Sequence, residues 1–470
     1  MSEQKDLVVI GSGPGGYVAA IRAAQLGLSV VVVEKDDRFG GTCLLRGCIP
    51  TKALLHTAET LDSVRAAASF GVVAGDASVD IGKAQEYKRG VVDKNAKGVE
   101  FLFKKNGVEG VRGLGRVAGP NTVEVTHDDE TSSIEARHIL IATGSVPRDL
   151  PFAPADGERV LNSDHILELE RVPKSLVVLG AGAVGCEFAS VYASFGSEVT
   201  LVEMLPRLLP IEDDEVSKEL ARAFRKRDIK SLTSTKLSSV ESVDGGVRLE
   251  LETEGKDPET LEAEMLLVAV GRAPVTESLG LEEVGVELDR GYVRVDEYMQ
   301  TAAPSIYAIG DVVDTPWLAH VASSEGILAV EHMAADRLEG EAARPLDYDH
   351  VPSCTYCDPE VASVGLTERE AEERGYDVAT GKFPFTALGK ASILGKTSGF
   401  VKVVRETRYD ELLGVHIIGA HATDLIAEAC VALQLESTNE ELLRTMHAHP
   451  TLSEAVGEAA HAAAGAAIHI

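Results

Sequence analysis

The 470-residue sequence lacks any run of about 18 consecutive apolar residues, the length that a membrane-spanning helix requires. Residues 1–6 contain no basic, apolar leader, so no secretion signal is expected. Six cysteines are too few for a disulfide-stabilised scaffold, and any disulfide is expected to be catalytic rather than structural. We therefore expect a cytoplasmic protein of several domains with no membrane partner.

Positive charge is also scarce, because 45 Lys and Arg stand against 75 Asp and Glu and the formal net charge is -30. A field of this sign repels DNA, RNA and anionic membranes, so nucleic-acid binding is not expected. The acidic residues are spread along the chain rather than held in a tail. This distribution favours a halophilic acidic surface, on which salt screens self-repulsion, over the alternative of an ordinary acidic cytosolic protein.

One pattern occurs twice in the sequence: an apolar strand, a Gly-x-Gly-x-x-Gly turn, a helical stretch closed by glycine, and a second strand that ends in an acid. Its key residues are Gly11, Gly13, Gly16 and Glu34 in the first copy, and Gly180, Gly182, Gly185 and Glu203 in the second. The first glycine and the acid are 23 positions apart in both copies. These matches indicate an internal duplication of a βαβ unit.

Each element of this pattern has a physical role in holding a dinucleotide. The first glycine allows a tight turn, the second lets the backbone approach a pyrophosphate, and the third lets helix and strand pack closely. The acid accepts hydrogen bonds from ribose hydroxyls, so two copies predict two bound dinucleotides. Glu203 repels a ribose 2′-phosphate and favours NAD over NADP at the second site, but Arg207 nearby leaves NADP open.

Two cysteines lie in a Gly-rich segment, residues 40–52, just after the first βαβ unit. Pro50 suits the first turn of a helix, so Cys48 is predicted at a helix N-terminus, where the partial positive charge favours a thiolate. Four intervening residues leave enough slack for a disulfide between Cys43 and Cys48. The alternative interpretation is two unrelated buried thiols.

Further short motifs lie at residues 142–145 (Ala-Thr-Gly-Ser), 270–274 (Val-Gly-Arg-Ala-Pro), 308–311 (Ala-Ile-Gly-Asp) and 447–454 (His-Ala-His-Pro-Thr-Leu-Ser-Glu). With the two glycine patterns and the cysteine segment, they resemble the motifs of the pyridine nucleotide-disulfide oxidoreductases. The resemblance runs from about residue 7 to the last dozen residues, and it is strongest to the members that act on dihydrolipoyl groups.

This resemblance implies an α/β fold with two Rossmann-like dinucleotide-binding domains and a C-terminal α+β dimerisation domain. Residues 1–147 are expected to form the first part of an FAD-binding domain and residues 148–272 an NAD-binding domain. Residues 273–345 are expected to form a central domain that completes the FAD site, and residues 346–470 the interface domain.

The resemblance also implies a site for each cofactor. The residues expected at FAD are Gly11, Gly13, Gly16, Glu34, Lys52, Thr143, Gly144, Gly310 and Asp311. Those expected at NAD are Gly180, Gly182, Gly185, Glu187, Glu203, Val270 and Gly271. Glu187 is expected beside the nicotinamide and paired with Lys52, but as an acid in the first turns of a helix it also complements the helix dipole.

The implied reaction is oxidation of dihydrolipoyl groups to lipoyl disulfide with NAD, through a redox-active pair formed by Cys43 and Cys48. His449 is the implied acid/base and Glu454 its orienting carboxylate, supplied across a homodimer interface; imidazole suits this proton transfer near neutral pH. His447 and His461 are rivals for the role of His449. The implied partner is a lipoyl-bearing acyltransferase of a 2-oxoacid dehydrogenase complex.

One feature departs from the family pattern, because Cys354 and Cys357 form a Cys-x-x-Cys sequence where the family usually has no paired thiols. No second pair of ligands with suitable spacing accompanies it, so no metal is expected and ordinary strand or loop residues are the favoured interpretation. Two other functions remain open: a disulfide reductase acting on a different low-molecular-weight thiol, and a flavin-bearing structural subunit without turnover.

Overall fold

The computed structural model describes residues 4–337 and 343–470. The chain divides into two compact units, each assembled from separate stretches of sequence. The first unit contains residues 1–53, 85–148 and 271–348, and the second contains residues 54–84, 149–270 and 349–470. Among the described residues, no helix is long and apolar enough to cross a membrane.

The strands and helices of the described residues have the following bounds. The strands are β1 (Lys5–Ile10), β2 (Val30–Glu34), β3 (Glu109–Arg112), β4 (Leu114–Gly119), β5 (Thr122–His127), β6 (Glu130–Ile141), β7 (Ser145–Pro147), β8 (Val160–Leu161), β9 (Ser175–Leu179), β10 (Glu198–Val202), β11 (Lys230–Leu232), β12 (Thr235–Val243), β13 (Gly246–Thr253), β14 (Glu259–Ala263), β15 (Met265–Val268), β16 (Arg272–Pro274), β17 (Leu288–Asp289), β18 (Tyr292–Val293), β19 (Ile306–Ala308), β20 (Ser353–Thr355), β21 (Glu360–Gly365), β22 (Val378–Pro384), β23 (Phe400–Glu406) and β24 (Leu412–Gly419). The helices are α1 (Pro14–Gln25), α2 (Gly41–Arg46), α3 (Cys48–Ala66), α4 (Ile81–Asn106), α5 (Ser163–Ile166), α6 (Ala183–Phe195), α7 (Asp214–Lys226), α8 (Ala319–Met333), α9 (Glu368–Glu373), α10 (Gly389–Leu394), α11 (Ala422–Gln434), α12 (Asn439–Arg444) and α13 (Glu454–Ala463).

The first unit is built on a seven-stranded sheet in the order β3-β2-β1-β6-β5-β4, with β19 beside β6. The strands β2, β1, β6 and β19 run parallel. Every residue of β2 is buried, as expected for a parallel strand covered on both faces, and its valines read as one continuous apolar run. The predicted α/β class is confirmed, and the carboxyl ends of β1 and β2 bring the first glycine motif and Glu34 together.

The second unit contains the other βαβ fold, a five-stranded sheet in the order β11-β10-β9-β15-β8. The strands β9 and β10 flank α6 in sequence and run parallel, as the duplicated pattern predicts. An antiparallel three-stranded sheet, β12-β13-β14, and a five-stranded sheet in the order β20-β21-β24-β23-β22 complete the unit. This last sheet carries α11 and α13 against its strands, which gives the C-terminal region the predicted α+β character.

A row of polar side chains crosses all five strands of the C-terminal sheet. Successive cross-strand partners are Ser353, Ser363, His416, Lys402 and Lys382. His416 and Lys402 are almost fully buried, at 1% and 2% exposure. The sequence does not predict this row, because its five members come from five separate strands and only the sheet register brings them side by side.

Acidic residues at the start of α7 cover this polar row. Ser353 Oγ donates to Glu212 Oε1 (3.0 Å), and Lys402 Nζ lies 3.0 Å from Asp213 Oδ2 and 3.2 Å from Glu215 Oε2. Asp213 caps the helix by accepting a hydrogen bond from the Glu215 N–H. The buried cation is thus matched by carboxylates, without which burial of its charge would be strongly unfavourable. These contacts fix the N-terminus of α7 against the C-terminal sheet.

Candidate active site

The first glycine motif has the close approaches that the sequence predicts. Gly11 adopts φ 104°, and a Cβ there would lie 2.3 Å from the carbonyl oxygen of Ala142. A Cβ at Gly16 would lie 2.0 Å from the Gly11 oxygen, so helix and strand pack too closely for any side chain. A Cβ at Gly13 would meet no atom within 4 Å, which leaves open space where a pyrophosphate would approach the backbone.

The second motif repeats this geometry almost atom for atom. Gly180 adopts φ 99°, and a Cβ there would lie 2.4 Å from the Ala269 oxygen. A Cβ at Gly185 would lie 1.9 Å from the Gly180 oxygen, whereas one at Gly182 would again meet nothing within 4 Å. The duplication inferred from spacing is therefore a duplication of structure.

The acids at the ends of β2 and β10 are buried and held by backbone groups. Glu34 Oε2 accepts from the Ser12 N–H at 2.9 Å, and Glu203 Oε2 accepts from the Ala181 N–H at 2.6 Å. In both copies the second carboxylate oxygen accepts from the N–H two residues further along the chain. These contacts fix each carboxylate beside its glycine turn, where a ribose would lie.

The helices that follow the two glycine motifs begin without side-chain caps. Gly13 and Gly182 are the N-cap residues of α1 and α6, neither provides a capping hydrogen bond, and no acid lies in either first turn. Their first N–H groups and positive helix ends suit a phosphate. The described residues at both motifs therefore fit a dinucleotide.

Residues 142–145, 271–274 and 308–311 of the three short motifs converge in the first unit. Arg272 Nε donates to Ser145 Oγ (2.6 Å), and Ser145 Oγ donates to Asp311 Oδ2 (2.5 Å). The strands β7 and β16 pair antiparallel, so Ser145 lies opposite Pro274. These two hydrogen bonds fix the Asp311 carboxylate. Ser145 and Arg272 belong to motifs recognised in the sequence, but their role in orienting Asp311 was not predicted.

The other predicted residues of these motifs lie at the same junction. Thr143 Oγ1 donates to the Val275 carbonyl (2.6 Å). Gly144, Gly271 and Gly310 have φ values of 70°, 109° and 70°, which other residues rarely adopt. Val270 directly precedes Gly271, so all the predicted residues of these motifs lie at or beside strand ends.

Glu325 is a buried carboxylate that sequence reasoning did not select. It has 0% exposure on α8, and its oxygens accept from the Gly310 N–H (2.7 Å) and the Tyr348 hydroxyl (3.0 Å). Burial, aided by the negative charge of Asp311, raises the pKa of Glu325 despite these bonds. A lone Glu in a helical run carries no sequence signal for such a role.

The cysteine segment lies on the first glycine motif. The Gly40 N–H donates to Ser12 Oγ (3.0 Å), and a Cβ at Gly41 would lie 2.5 Å from the Gly13 Cα. Cys43 lies inside α2, a short helix that the sequence did not predict, and Cys48 is the first residue of α3. The predicted helix thus begins two residues before Pro50 and places Cys48 at its N-terminus, as expected.

Both cysteines are thiols in this structure, and they interact. A hydrogen bond to Cys48, together with burial, raises the pKa of Cys43, while the positive charge of Lys52 acts in the opposite direction. The two sulfurs and Lys52 therefore form one electrostatic group. This contact favours the interpretation of Cys43 and Cys48 as a pair over that of two unrelated thiols.

Glu187 lies in the second unit as the fifth residue of α6. It lies beyond the first turn of the helix, so the alternative interpretation as a first-turn acid that complements the helix dipole is wrong. It is 4% exposed, and its Oε1 accepts from the Tyr356 N–H at 3.0 Å. The loop that contains the Cys354 and Cys357 pair therefore orients Glu187. Cys354 lies in β20, and the buried Cys357 donates to the Pro359 carbonyl (3.3 Å), so both are strand or loop residues, as favoured above. Among the described residues, no cluster could hold a metal ion.

His449 and Glu454 form the predicted hydrogen-bonded pair. His449 Nδ1 lies 2.8 Å from Glu454 Oε1, and Glu454 Oε2 accepts from the Thr451 N–H (2.8 Å). Burial of Glu454 is outweighed by these bonds, which lower its pKa and keep the carboxylate ionised. The His449 side chain is 79% exposed, so Nε2 is available for proton transfer.

The rival histidine, His447, has a different environment. Its Nε2 lies 2.6 Å from Glu428 Oε1, and its side chain is only 10% exposed. The hydrogen bond to Glu428 raises the pKa of His447 against the effect of burial. A histidine held in this way is suited to a structural role. His461 lies on α13 and contacts no carboxylate among the residues that the structure describes.

Comparison with known proteins agrees with this geometry. The family described as pyridine nucleotide-disulphide oxidoreductase matches residues 5–326, and its dimerisation domain matches residues 351–460. The chain belongs to the pyridine nucleotide-disulphide oxidoreductase family.

Similarity to individual proteins indicates which members of this family the chain is most like. A dihydrolipoyl dehydrogenase of Bacillus subtilis is 46% identical over 480 residues, covering 100% of both chains, and one of Thermus scotoductus is 47% identical, covering 99% of this chain and 98% of that one. The crystal structure of LpdA from Mycobacterium tuberculosis superposes with TM-score 0.89 at 30% identity, covering 97% of this chain and 99% of that chain. The chain is therefore an oxidoreductase whose cofactors are FAD and NAD, and its dimerisation domain indicates a homodimer.

Proposed function

We propose that this protein oxidises dihydrolipoyl groups to lipoyl disulfides with NAD as electron acceptor. The contact between Cys43 and Cys48, placed on the first glycine motif through Gly40 and Gly41, is the observation that carries the proposal. A pair of thiols beside the first glycine motif is in a position to pass electrons to a dinucleotide bound there. The full-length similarity to dihydrolipoyl dehydrogenases supports the choice of substrate.

The chain's residues perform the thiol chemistry. His449, oriented by Glu454, removes a proton from one substrate thiol, and the thiolate attacks Cys43 in the oxidised Cys43–Cys48 pair. This step forms a mixed disulfide and releases Cys48 as thiolate. The second substrate thiol then displaces Cys43, which closes the lipoyl disulfide and leaves two reduced cysteines.

The reduced pair must be reoxidised before another turnover. The first glycine motif and Glu34 would hold FAD, which when bound would supply two-electron transfer between the dithiol and NAD. Lys52 provides positive charge beside the Cys43 sulfur, which favours negative charge on the pair. Glu187, fixed by the Tyr356 N–H, is assigned to the nicotinamide end of the NAD site.

The proposal extends to the organisation of the chain. Residues 1–147 and 273–345 are assigned to FAD, residues 148–272 to NAD, and residues 346–470 to the dimer interface. The exposure of His449 supports a site completed by the second subunit, because a catalytic imidazole needs a neighbouring substrate pocket. The proposed partner is a lipoyl-bearing acyltransferase of a 2-oxoacid dehydrogenase complex.

Steady-state kinetics on the purified dimer test this function. We expect NAD-dependent oxidation of dihydrolipoamide to exceed turnover of other dithiols and disulfides, and NADP to be a poor acceptor. Faster turnover of another low-molecular-weight thiol would identify a different disulfide reductase of the same family. A flavin-loaded dimer with no turnover would contradict an enzymatic role.

We also propose that the protein works in a saline cytoplasm. The net charge of -30 supports this, because salt screens repulsion within an acidic chain. Unfolding midpoints that rise from low salt to molar KCl would support the saline assignment, whereas a fold and activity indifferent to KCl would contradict it.

A further inference from the structure

Arg207 is the residue that left NADP open in the sequence, since it follows Glu203 by four positions on the same loop. In the structure each of its three guanidinium nitrogens makes a polar contact with the protein. Nε and Nη2 donate to the Pro210 carbonyl at 3.2 and 2.7 Å, and Nη1 pairs with Asp214 Oδ1. The Arg207 side chain is only 21% exposed.

Asp214 is well placed to hold a cation. It is the first residue of α7, where the positive helix end favours a carboxylate. Its neighbour Asp213 is fixed by the buried Lys402, so this end of the helix has a firm support. Arg369 Nη1 lies 3.9 Å from the same Asp214 oxygen and further anchors the carboxylate.

We propose that Asp214 and the Pro210 carbonyl determine nucleotide specificity by committing Arg207 to the protein. An arginine without an acidic partner, placed near the ribose of the second glycine motif, accommodates a 2′-phosphate, because its planar guanidinium donates two parallel hydrogen bonds to phosphate oxygens. The site then rejects NADP in two ways: Glu203 repels the 2′-phosphate, and the cation that would attract it is already neutralised. This inference rests on the proposed assignment of the second glycine motif to NAD.

The inference is tested by binding of two fragment probes to the purified flavin-loaded dimer. Adenosine 2′,5′-bisphosphate carries the 2′-phosphate, and adenosine 5′-monophosphate does not; titration calorimetry gives the Kd of each. In Asp214→Asn, we expect the affinity for the bisphosphate to rise by about tenfold, a change of about 1.4 kcal/mol. Affinity for the monophosphate is expected to change by less than about twofold. The exposure of Asp214, 52%, makes a folding failure an unlikely complication, and thermal melts verify it.

Two control variants make the result specific to Arg207. In Arg207→Met, the additional Asp214→Asn change should bring no gain in bisphosphate affinity. Glu219→Gln removes an acid from the same helix that pairs with Arg222 instead, and it should leave the ratio of the two affinities unchanged. An equal gain in either control would mean that net charge, not Arg207, is responsible, and would overturn the inference.

The outcomes also separate this inference from the proposed function. Monophosphate binding with no bisphosphate gain in Asp214→Asn would overturn the role of Asp214 and leave the NAD site standing. Absence of binding by both probes in every variant would overturn both, because the second motif would then hold no nucleotide. If Asp214→Asn also lowers the ratio of kcat/KM for NAD to kcat/KM for NADP by a similar factor, the effect seen with the fragments applies to the whole cofactor.

Discussion

Glu34 and Glu203 occupy equivalent positions in the two βαβ folds and accept the same pair of backbone hydrogen bonds. Each receives one from the residue after the first motif glycine and one from the residue two positions beyond itself. The two carboxylates should therefore act alike, each at its own cofactor. Substitution of one acid at a time separates the two sites.

We predict that Glu203→Gln raises the KM for NAD by about tenfold, because one charge-assisted hydrogen bond to a ribose is weakened. Its flavin content should be unchanged. Glu34→Gln should instead lower flavin retention, measured as the ratio of flavin to protein absorbance after gel filtration. Exchanged phenotypes, with flavin lost from Glu203→Gln, would show that the two sites are assigned the wrong way round.

The duplicated pattern explains why this part of the site was predictable. Glycine and acid positions are set by backbone approach and strand length, which are local properties, and the 23-residue spacing carries them in both copies. The position of Cys48 was predictable for the same reason, since Pro50 favours a helix start nearby. The short helix around Cys43 was not, because its formation depends on contact with Gly13 and Ser12 in a distant loop.

Polar contacts between residues far apart in the chain could not be predicted from the sequence. Lys402 and His416 lie in strands that read as ordinary alternating segments, and only the sheet register aligns them in one row. Their acidic partners, Glu212 and Asp213, come about 200 positions earlier in the chain. Glu325 was missed likewise, because its contact with Gly310 is made only in the folded chain, and the contact of Ser145 with Asp311 was not predictable for the same reason.

Lys402→Met should destabilise the protein by about 3–5 kcal/mol, because removal of the cation leaves the buried carboxylate of Asp213 uncompensated. Lys382→Met is the matched control: Lys382 also pairs with Glu215 but is 45% exposed, so its loss should cost at most about 1 kcal/mol. Urea unfolding of both variants measures the difference. Equal losses in the free energy of unfolding would mean that the buried Lys402 contributes no more than an exposed ion pair does.

His449→Gln should lower kcat for dihydrolipoamide oxidation by about 10²–10⁴-fold, the usual contribution of a positioned acid/base. Glu454→Gln should have a smaller effect, because the imidazole remains and loses only its orienting carboxylate. His461→Gln serves as control and should keep kcat within about twofold of the parent. A comparable loss in the control would remove the basis for choosing His449.

His447 should affect stability in a pH-dependent way. Its folded-state pKa is raised by Glu428, so the pair stabilises the fold below the unfolded histidine value of about 6.5 and loses this contribution as pH rises through the folded pKa. Glu428→Gln should therefore lower the free energy of unfolding, measured by urea unfolding, more at about pH 5.5 than at about pH 8.5. The difference should be at most about 1 kcal/mol after allowance for solvent screening. A larger loss at the alkaline pH would contradict this sign.

The account depends most on the redox role of the Cys43 and Cys48 pair, and Cys43→Ser tests it directly. The measurement is steady-state oxidation of dihydrolipoamide by NAD, with flavin content recorded on the same sample and Cys354→Ser as a control that keeps its activity. We predict that Cys43→Ser retains its flavin and shows no turnover above background, because no disulfide can form. Full turnover by flavin-loaded Cys43→Ser protein would contradict the account.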